Sequence, residues 1–423
     1  MSSLRTRLVA SVAVVAVLGG ATLAIDAGAA IRPAVPPPTP VPPHGSPSPF
    51  PTSVATPSDP TREPTVPAAA ALLADLDTGQ VLYTKDPDEP RPIASVTKIM
   101  TALLTLETLP MDEVVRVDPR AVFERDDYGA SSTLGLRPGE RITVENLLYA
   151  LLLGSANDAA EALAIAVDGS VPVFVHRMNE RAHQLGMVQT RFFSANGLDD
   201  RGRSTPRDLL RLVRFTDGFE PFTTITATRF RRIPAPHGRD RVIQNRNALL
   251  WLYAGAFGTK TGTTADAGAC VVASAARDGR RLVAIVLDAP REPFSTAATL
   301  LEYGFEGWED EDLVVAGASL GTADIRGGTV PVVAGEGLEA LVPVRDDAEV
   351  QERWLIEPGA AFPPAPGERI GFLVVHAGPA VLGRVPLVVP SVPPAPATSG
   401  PWWLRAAGAV GGAVVDGVRA IAA

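Results

Sequence analysis

Apolar residues recur with a short period at two places that lie far apart along the chain. Apolar runs at residues 70–76 and 81–83 flank the turn segment 77–80 and predict a β-hairpin. Similar runs at 269–275 and 282–287 predict a second pair of strands. The two hairpins are candidates for a single sheet, because strands that are distant in sequence commonly pair.

The stretch between these strands carries the longer period of amphipathic and buried helices. One further helical segment follows the last strand. The predicted helices are 97–108, 144–153, 158–167, 172–185 and 296–303. Strands at both ends with helices between them predict an α/β fold, with a sheet completed by segments far apart in sequence.

After Trp308 the pattern changes to short valine-rich runs, at 313–315, 329–333 and 371–375, which alternate with Gly, Pro and Asp turns. This spacing predicts a small all-β domain of roughly eighty residues. A second proline-rich stretch begins at Pro390.

The N-terminus has a basic start, an apolar run of about 18 residues and a small-residue Ala27-Gly28-Ala29 site, which together are typical of a secretory signal peptide. An uncleaved membrane anchor is the alternative, and both place the rest of the chain outside the cytoplasm. The proline-rich segment that follows is typical of an extended spacer. The predicted division is a signal peptide at 1–30, a linker at 31–67, an α/β domain at 68–308, a β domain at 309–390, and a linker with a tail at 391–423.

In the tail, Arg405, Asp416 and Arg419 fall on one side of a helical wheel, and Trp403 and Val410 fall on the other. This pattern predicts a helix in the membrane interface, with Trp402 and Trp403 at headgroup level. An unanchored tail is the alternative.

The chain has a formal net charge of −9, which argues against nucleic acid as a partner because no basic stripe can neutralise phosphates. Cys270 is the single cysteine, so no intrachain disulfide can form. Of 38 basic residues only Lys85, Lys98 and Lys260 are lysines. An ammonium loses its proton when buried, whereas a guanidinium does not, so the few lysines are candidates for chemistry.

The first chemical motif is Ser95-Val96-Thr97-Lys98. If a helix begins at or just before Ser95, Ser95 and Lys98 are neighbours on one face. A serine hydroxyl becomes a nucleophile when a base removes its proton, and a lysine is such a base when its pKa is depressed. The alternative is a serine that caps the helix and a solvated surface lysine.

The second motif is Ser155-Ala156-Asn157, which lies at the break between two apolar helices. Ser155 is a candidate proton relay and Asn157 a candidate donor to a substrate amide. Helix capping is the structural alternative for both residues.

The third motif is Lys260-Thr261-Gly262-Thr263 beside a strand edge, where an extended peptide can lie against backbone groups. Lys260 offers a positive charge that would also help to keep Lys98 unprotonated. An incidental lysine in a turn is the alternative.

Each motif is weak alone, but S-x-x-K, S-x-N and K-T-G in this order are specific for penicillin-recognising serine acyl-transfer enzymes. The chain resembles the low-molecular-mass penicillin-binding proteins that act as D-Ala-D-Ala carboxypeptidases. The resemblance covers most of residues 68–390 and also the tail. It implies a β-lactamase/transpeptidase-like α/β fold, in which an antiparallel sheet carries helices on both faces beside a helical subdomain, followed by the β domain.

The resemblance also implies a role for each motif residue. Ser95 would attack the carbonyl between the two terminal D-alanines of a peptidoglycan stem peptide, with Lys98 as the base. Ser155 and Lys260 would pass a proton to the leaving D-alanine, and Asn157 would hold the acyl-donor amide. Backbone N–H groups of Ser95 and Thr263 would form the oxyanion hole, and β-lactams would be covalent inhibitors. No cofactor or metal is implied.

Relatives often bind the substrate carboxylate with an arginine shortly before the helix that follows the K-T-G strands. Pro293 lies near that position in this chain, and Arg291, two residues earlier, is the candidate substitute. A solvated loop arginine is the alternative.

A D,D-endopeptidase that cleaves cross-links is the nearest rival, since no residue separates the two activities. A class A β-lactamase is disfavoured because no E-x-x-L-N segment lies between Asn157 and Lys260. A zinc peptidase is disfavoured because the five histidines form no ligand cluster in the sequence. A catalytically inactive wall-binding module is the rival from another class, and the intact motifs argue against it.

Overall fold

The computed structural model describes residues 53–55, 57–123, 132–236, 238–290, 292–345, 350–360, 362–377 and 380–391. Its centre is a five-stranded antiparallel sheet with the order β2-β1-β11-β10-β9. The strands of this sheet are β1 (Ala70–Asp75), β2 (Val81–Lys85), β9 (Ala256–Thr264), β10 (Gly268–Arg277) and β11 (Arg280–Ala289).

The first and last strands of the sequence pattern meet in the middle of this sheet. Ala70 pairs with Leu287 and Asp75 with Leu282, so β1 lies between β2 and β11. Successive residues of β1 point to opposite faces, and therefore Leu72 and Leu73 enter two different cores. Because both faces are covered, β1 is buried along its whole length.

Helices pack on both faces of the sheet. One group packs with Leu72 in the first core, and a single long helix, α8, packs with Leu73 in the second. The helices are α1 (Lys98–Thr108), α2 (Val144–Leu152), α3 (Asn157–Asp168), α4 (Val171–Gln184), α5 (Pro206–Asp217), α6 (Glu220–Ala227), α7 (Leu249–Leu252) and α8 (Pro293–Glu306).

Local sequence explains several helix ends. The hydroxyl groups of Thr143 and Thr205 accept backbone N–H groups at the starts of α2 and α5. Gly169 ends α3 with a left-handed φ of 75°, a conformation that glycine adopts without strain. Three short strand pairs hold the helical part together. They are β3 (Arg91–Pro92) with β6 (Arg203–Ser204), β4 (Val114–Arg116) with β5 (Arg141–Thr143), and β7 (Phe230–Ile233) with β8 (Arg241–Gln244).

The chain after α8 forms β-structure, as its valine-rich pattern predicts. One two-stranded sheet and one five-stranded sheet with the order β13-β14-β18-β17-β16 occur here. The strands are β12 (Trp308–Val314), β13 (Ser319–Ile325), β14 (Gly328–Ala334), β15 (Leu338–Pro343), β16 (Val350–Ile356), β17 (Arg369–Ala377) and β18 (Ala380–Val388).

The C-terminal strands share a core with the central sheet. Side chains such as Val332 and Leu373 belong to the same apolar cluster as Leu73. Gln80 joins the two parts further, because its side-chain amide donates to the carbonyl of Leu341 and accepts the N–H of Leu341. The predicted fold class is confirmed: an α/β unit with an antiparallel sheet precedes an all-β region.

Within the described ranges, no single helix has the length and apolar character needed to cross a membrane. Taken together, α3 and α4 are long and apolar enough to cross a membrane, but the pair is bent by 84° between the two helices. The predicted signal peptide, the first linker and the C-terminal tail lie outside the described residues.

Candidate active site

Ser95 lies in a single 3-10 turn, Ala94–Thr97, that leads directly into α1. Lys98 is the first residue of α1, so the two side chains are one turn apart on the same face. The Nζ atom of Lys98 lies 2.9 Å from the Oγ atom of Ser95. Ser95 is partly exposed while Lys98 is fully buried, which differs from a capping serine beside a solvated lysine.

Lys98 is held in place by three oxygen atoms. Besides the Ser95 hydroxyl, its Nζ donates to Oδ1 of Asn157 at 2.8 Å and to the backbone carbonyl of Asn196 at 2.5 Å. Burial and the positive charge of Arg246 lower the pKa of Lys98 to about 7, against smaller opposing effects of Glu161 and Asp158. A large share of Lys98 is therefore a neutral amine near neutral pH, which is the form that accepts a proton.

The second motif occupies the link between α2 and α3. Ser155 is buried and has a φ of 59°, in the left-handed region that a residue with a Cβ atom rarely adopts. Asn157 is the first residue of α3, and its backbone N–H donates to the carbonyl of Ser132. The carboxylate of the next residue, Asp158, accepts the N–H groups of residues 134–136. The start of α3 is thus fixed against the segment 132–136.

The third motif lies within β9, at the edge of the central sheet. Lys260 is fully buried, and its Nζ donates to the carbonyl of Thr261 at 2.8 Å. Burial, and then the charges of Lys98 and Arg246, lower the pKa of Lys260 well below its usual value. Gly262 lies against the backbone of the turn that carries Ser95, called the nucleophile turn below, and the side chain of Thr263 is exposed.

From the sequence, Lys260 is expected to help to keep Lys98 unprotonated. In the structure, the cation that lowers the pKa of Lys98 is Arg246. Lys98 is in turn one of the cations that lower the pKa of Lys260. Two buried amines that repel each other titrate as a pair, so a contribution of Lys260 to the lowered pKa of Lys98 stays a prediction.

The structure brings Ser95, Lys98, Asn157 and Lys260 into one site, with Gly262 in contact with the Ser95 turn. Sequence reasoning missed Arg246, whose half-buried guanidinium acts on both lysines. Its backbone N–H donates to the carbonyl of Leu153, just before the second motif. The available signal was a charged residue between two asparagines, Asn245 and Asn247, next to an apolar helix.

Sequence reasoning also missed the contribution of Asn196 and Glu161. Both residues lie outside the three motifs. Arg291 lies outside the described residues, so the predicted carboxylate anchor stays a prediction. Among the residues that the structure describes, no three His, Cys, Asp or Glu side chains lie close enough together to hold a metal ion.

This arrangement can carry out acyl transfer. A partly exposed hydroxyl lies within hydrogen-bond distance of a buried lysine whose pKa favours the neutral amine, and a second buried lysine lies close by. β9 is an edge strand of the central sheet, and the backbone groups of an edge strand can pair with an extended peptide.

The known proteins that this chain resembles are peptidases of one family. The sequence profile of the S11 peptidases, described as D-alanyl-D-alanine carboxypeptidase, matches residues 56–291. The D-alanyl-D-alanine carboxypeptidase DacC of Escherichia coli K12 is 32% identical over 345 residues, which are 77% of this chain and 84% of the relative. A D-alanyl-D-alanine endopeptidase of the same organism is 32% identical over 231 residues, which are 54% of this chain and 73% of the relative.

The fold also matches solved structures. Penicillin binding protein 5 from Haemophilus influenzae superposes with a TM-score of 0.62 at 26% identity, over 78% of this chain and 98% of the other. The similarity thus includes the C-terminal β region as well as the α/β unit.

Proposed function

The chain belongs to the D-alanyl-D-alanine carboxypeptidase family of serine peptidases, and we propose that it removes the terminal D-alanine of peptidoglycan stem pentapeptides through an acyl-enzyme on Ser95. One observation carries the assignment of the nucleophile. The amine of Lys98 is fully buried, has a pKa of about 7 and lies 2.9 Å from the Ser95 hydroxyl. The two atoms therefore form a nucleophile and its base.

In the acylation step, neutral Lys98 takes the proton of Ser95 as Oγ attacks the carbonyl carbon between the two terminal D-alanines. The negative charge that develops on the carbonyl oxygen is stabilised by the backbone N–H groups of Ser95 and Thr263. The C–N bond then breaks, and the leaving amine of D-alanine receives a proton through Ser155 and Lys260. Water hydrolyses the acyl-enzyme and releases the shortened peptide.

Asn157 and Arg246 orient the substrate. The Oδ1 atom of Asn157 is taken by Lys98, so its Nδ2 group is the one that donates to the acyl-donor amide. Burial lowers the pKa of the Arg246 guanidinium, and no ion pair with a carboxylate is seen for it among the described residues. We propose that its positive charge attracts the terminal carboxylate of the substrate, while Arg291 stays the candidate from the sequence.

β-Lactams enter the same pathway because they resemble the D-Ala-D-Ala dipeptide. Attack of Ser95 opens the lactam ring, and the leaving nitrogen stays attached to the acyl group. Slow deacylation then traps the enzyme, so these antibiotics are expected to act as covalent inhibitors.

Product analysis tests the assignment. The protein is incubated with a stem pentapeptide and, separately, with a cross-linked peptide dimer, and released D-alanine and monomer are measured. We expect release of D-alanine from the pentapeptide and none from the Ser95→Ala variant. Cleavage of the dimer with little release from the pentapeptide would favour an endopeptidase, the activity named for one relative.

Labelling with fluorescent penicillin separates an enzyme from an inactive wall-binding module. We expect wild-type protein to take up the label and Ser95→Ala to take up none. The variant should keep the thermal stability of the wild type within about 1 kcal/mol, because Ser95 is a partly exposed site residue. Absence of label on the wild type would overturn the acyl-enzyme mechanism.

The enzyme acts outside the cytoplasm, where peptidoglycan lies. We propose that residues 1–30 direct export as a signal peptide, that 68–308 form the catalytic domain and 309–390 the β domain, and that the tail associates with the membrane surface. Sequencing of the mature N-terminus tests the first point. Flotation of the full chain with anionic lipid vesicles tests the last, with Trp402→Ser/Trp403→Ser as the variant that should lose binding.

A further inference from the structure

Glu161 is a half-buried carboxyl group behind the catalytic lysine, and none of the three motifs includes it. It lies on α3, one helical turn after Asn157, and thus on the side of the helix that faces Lys98. Its Oε1 atom accepts a hydrogen bond of 2.6 Å from Nδ2 of Asn196. Burial raises the pKa of Glu161 to about 7, and the charge of Lys98 acts to lower that pKa.

Asn196 connects Glu161 to the lysine. Its backbone carbonyl is the acceptor for Nζ of Lys98, and its side-chain Oδ1 accepts the N–H of Leu198. The preceding carbonyl, of Ala195, accepts the hydroxyl of Thr101 on α1. Both polar atoms of the Asn196 side-chain amide are therefore hydrogen-bonded, Oδ1 to Leu198 and Nδ2 to Glu161 on α3.

The turn that carries Asn196 also lies against the nucleophile turn. A Cβ atom at Gly197, where φ is 81°, would collide with the backbone carbonyl of Ala94, next to Ser95. A small displacement of Asn196 would consequently move both the acceptor of Lys98 and the backbone beside Ser95. Displacements of about 1 Å at reacting groups can change rates by about 100-fold.

We propose that Glu161 is a positioning residue for the acylation base: through Asn196 it fixes the carbonyl that holds Lys98, and its negative charge counterbalances that of Arg246 on the lysine. This role rests on the proposed function of Ser95 and Lys98. It adds to that function a group that sets the pH at which the base becomes active.

The charges around Lys98 act in opposite directions. Arg246, from the segment after β8, lowers the pKa of Lys98, whereas Glu161 and Asp158, both on α3, raise it. Asp158 has its carboxylate engaged by the N–H groups of residues 134–136, and Lys260 on β9 has a strongly lowered pKa of its own. Among these groups, Glu161 can lose its charge without losing its hydrogen bond, because glutamine also accepts from Asn196.

The pH profile of kcat/KM for a pentapeptide, or of the acylation rate by a chromogenic β-lactam, tests the charge of Glu161. In Glu161→Gln, we expect the acid limb to move to lower pH by up to about half a unit, since loss of a nearby negative charge lowers the pKa of Lys98. The shift is limited because Glu161, with a pKa of about 7, carries only part of its charge at the limb. The plateau should stay within about threefold of the wild type, because Asn196 keeps its acceptor. Glu107→Gln, a partly buried carboxylate on α1 paired with Arg181, is the control and should leave the limb in place.

A double-mutant cycle tests the path through Asn196. We expect Glu161→Ala and Asn196→Ala each to lower the plateau by about tenfold or more. The double variant should be no less active than the less active of the two single variants, because both act along the same path. An unchanged acid limb in Glu161→Gln, or additive losses in the cycle, would overturn the proposal. If Glu161→Ala does not fold, the pH shift of Glu161→Gln decides alone. Failure of the wild type to be acylated at all would instead count against the proposed function.

Discussion

Gly262 lies so close to Ser95 that a Cβ atom at position 262 would be 2.8 Å from the Ser95 amide nitrogen. The same atom would lie 2.9 Å from the carbonyl oxygen of Ile93 and 3.0 Å from the amide nitrogen of Val96. All three are backbone atoms, so none can rotate away as the end of a side chain could. The glycine of the third motif therefore allows β9 to lie directly against the nucleophile turn.

Gly262→Ala is expected to push β9 away from Ser95. We predict a loss of about 100-fold in the rate of acylation by a β-lactam, together with a loss of about 1–3 kcal/mol in the free energy of unfolding. Stopped-flow acylation and urea unfolding measure the two effects. Gly359→Ala is the control, because a Cβ atom there meets nothing within 4 Å; wild-type acylation by Gly262→Ala would contradict the packing argument.

Ser155, the proposed proton relay, has a backbone conformation that favours glycine. Ser155→Gly and Ser155→Ala both remove the proton relay, so each should lose at least about 100-fold in kcat/KM. Only the glycine variant also relieves the left-handed strain, and we expect it to be more stable than the alanine variant by about 1 kcal/mol. The same pair of substitutions at Ser319, on a strand with ordinary backbone, should show no advantage for glycine; the opposite order at Ser155 would count against strain.

Arg246 is the cation that lowers the pKa of the two site lysines. Its replacement in Arg246→Met should raise the pKa of Lys98 and so move the acid limb of the kcat/KM profile to higher pH. The plateau at high pH should also be lower than in the wild type, because the charge proposed to attract the substrate carboxylate is lost. The expected shift of the acid limb is thus opposite to that of Glu161→Gln. Arg232→Met, which removes an exposed guanidinium, is the control for loss of a surface charge. An acid limb that does not move would show that Arg246 has no influence on the base.

Lys98 should reveal its lowered pKa in the stability of the protein. Its pKa is about 7 in the folded chain and 10.5 in an unfolded reference, so between these values the unfolded state binds more protons. Stability then rises with pH, by about 1.4 kcal/mol per unit. Between pH 7.5 and 9, the wild type should gain about 2 kcal/mol more than Lys98→Met in urea unfolding. Lys85→Met, at a lysine outside the site, should follow the wild type; equal slopes for all three proteins would refute the shift.

Much of the secondary structure follows from local sequence. The predicted helix at 158–167 corresponds to α3, Asn157–Asp168, and the predicted strands at 269–275 and 282–287 correspond to β10 and β11. The β7–β8 hairpin was not predicted, because its strands are short, charged and mostly without apolar alternation. The prediction of a single sheet from distant segments is confirmed, whereas its strand order emerges only in the structure.

The sequence by itself determined the family and class of reaction of this protein, and its three ordered motifs and scarcity of lysine predict a serine nucleophile and an amine base. It could do so because Ser95 and Lys98 are three residues apart, so their contact follows from helix geometry. Only the tertiary structure decided what surrounds that base. The contacts of Lys98 with Asn157 and Asn196 join positions 59 and 98 residues apart, and the charges of Arg246 and Glu161 act across other segments. The burial of the Lys98 amine and the charges around it depend on how distant segments pack, and a local sequence pattern does not predict that packing.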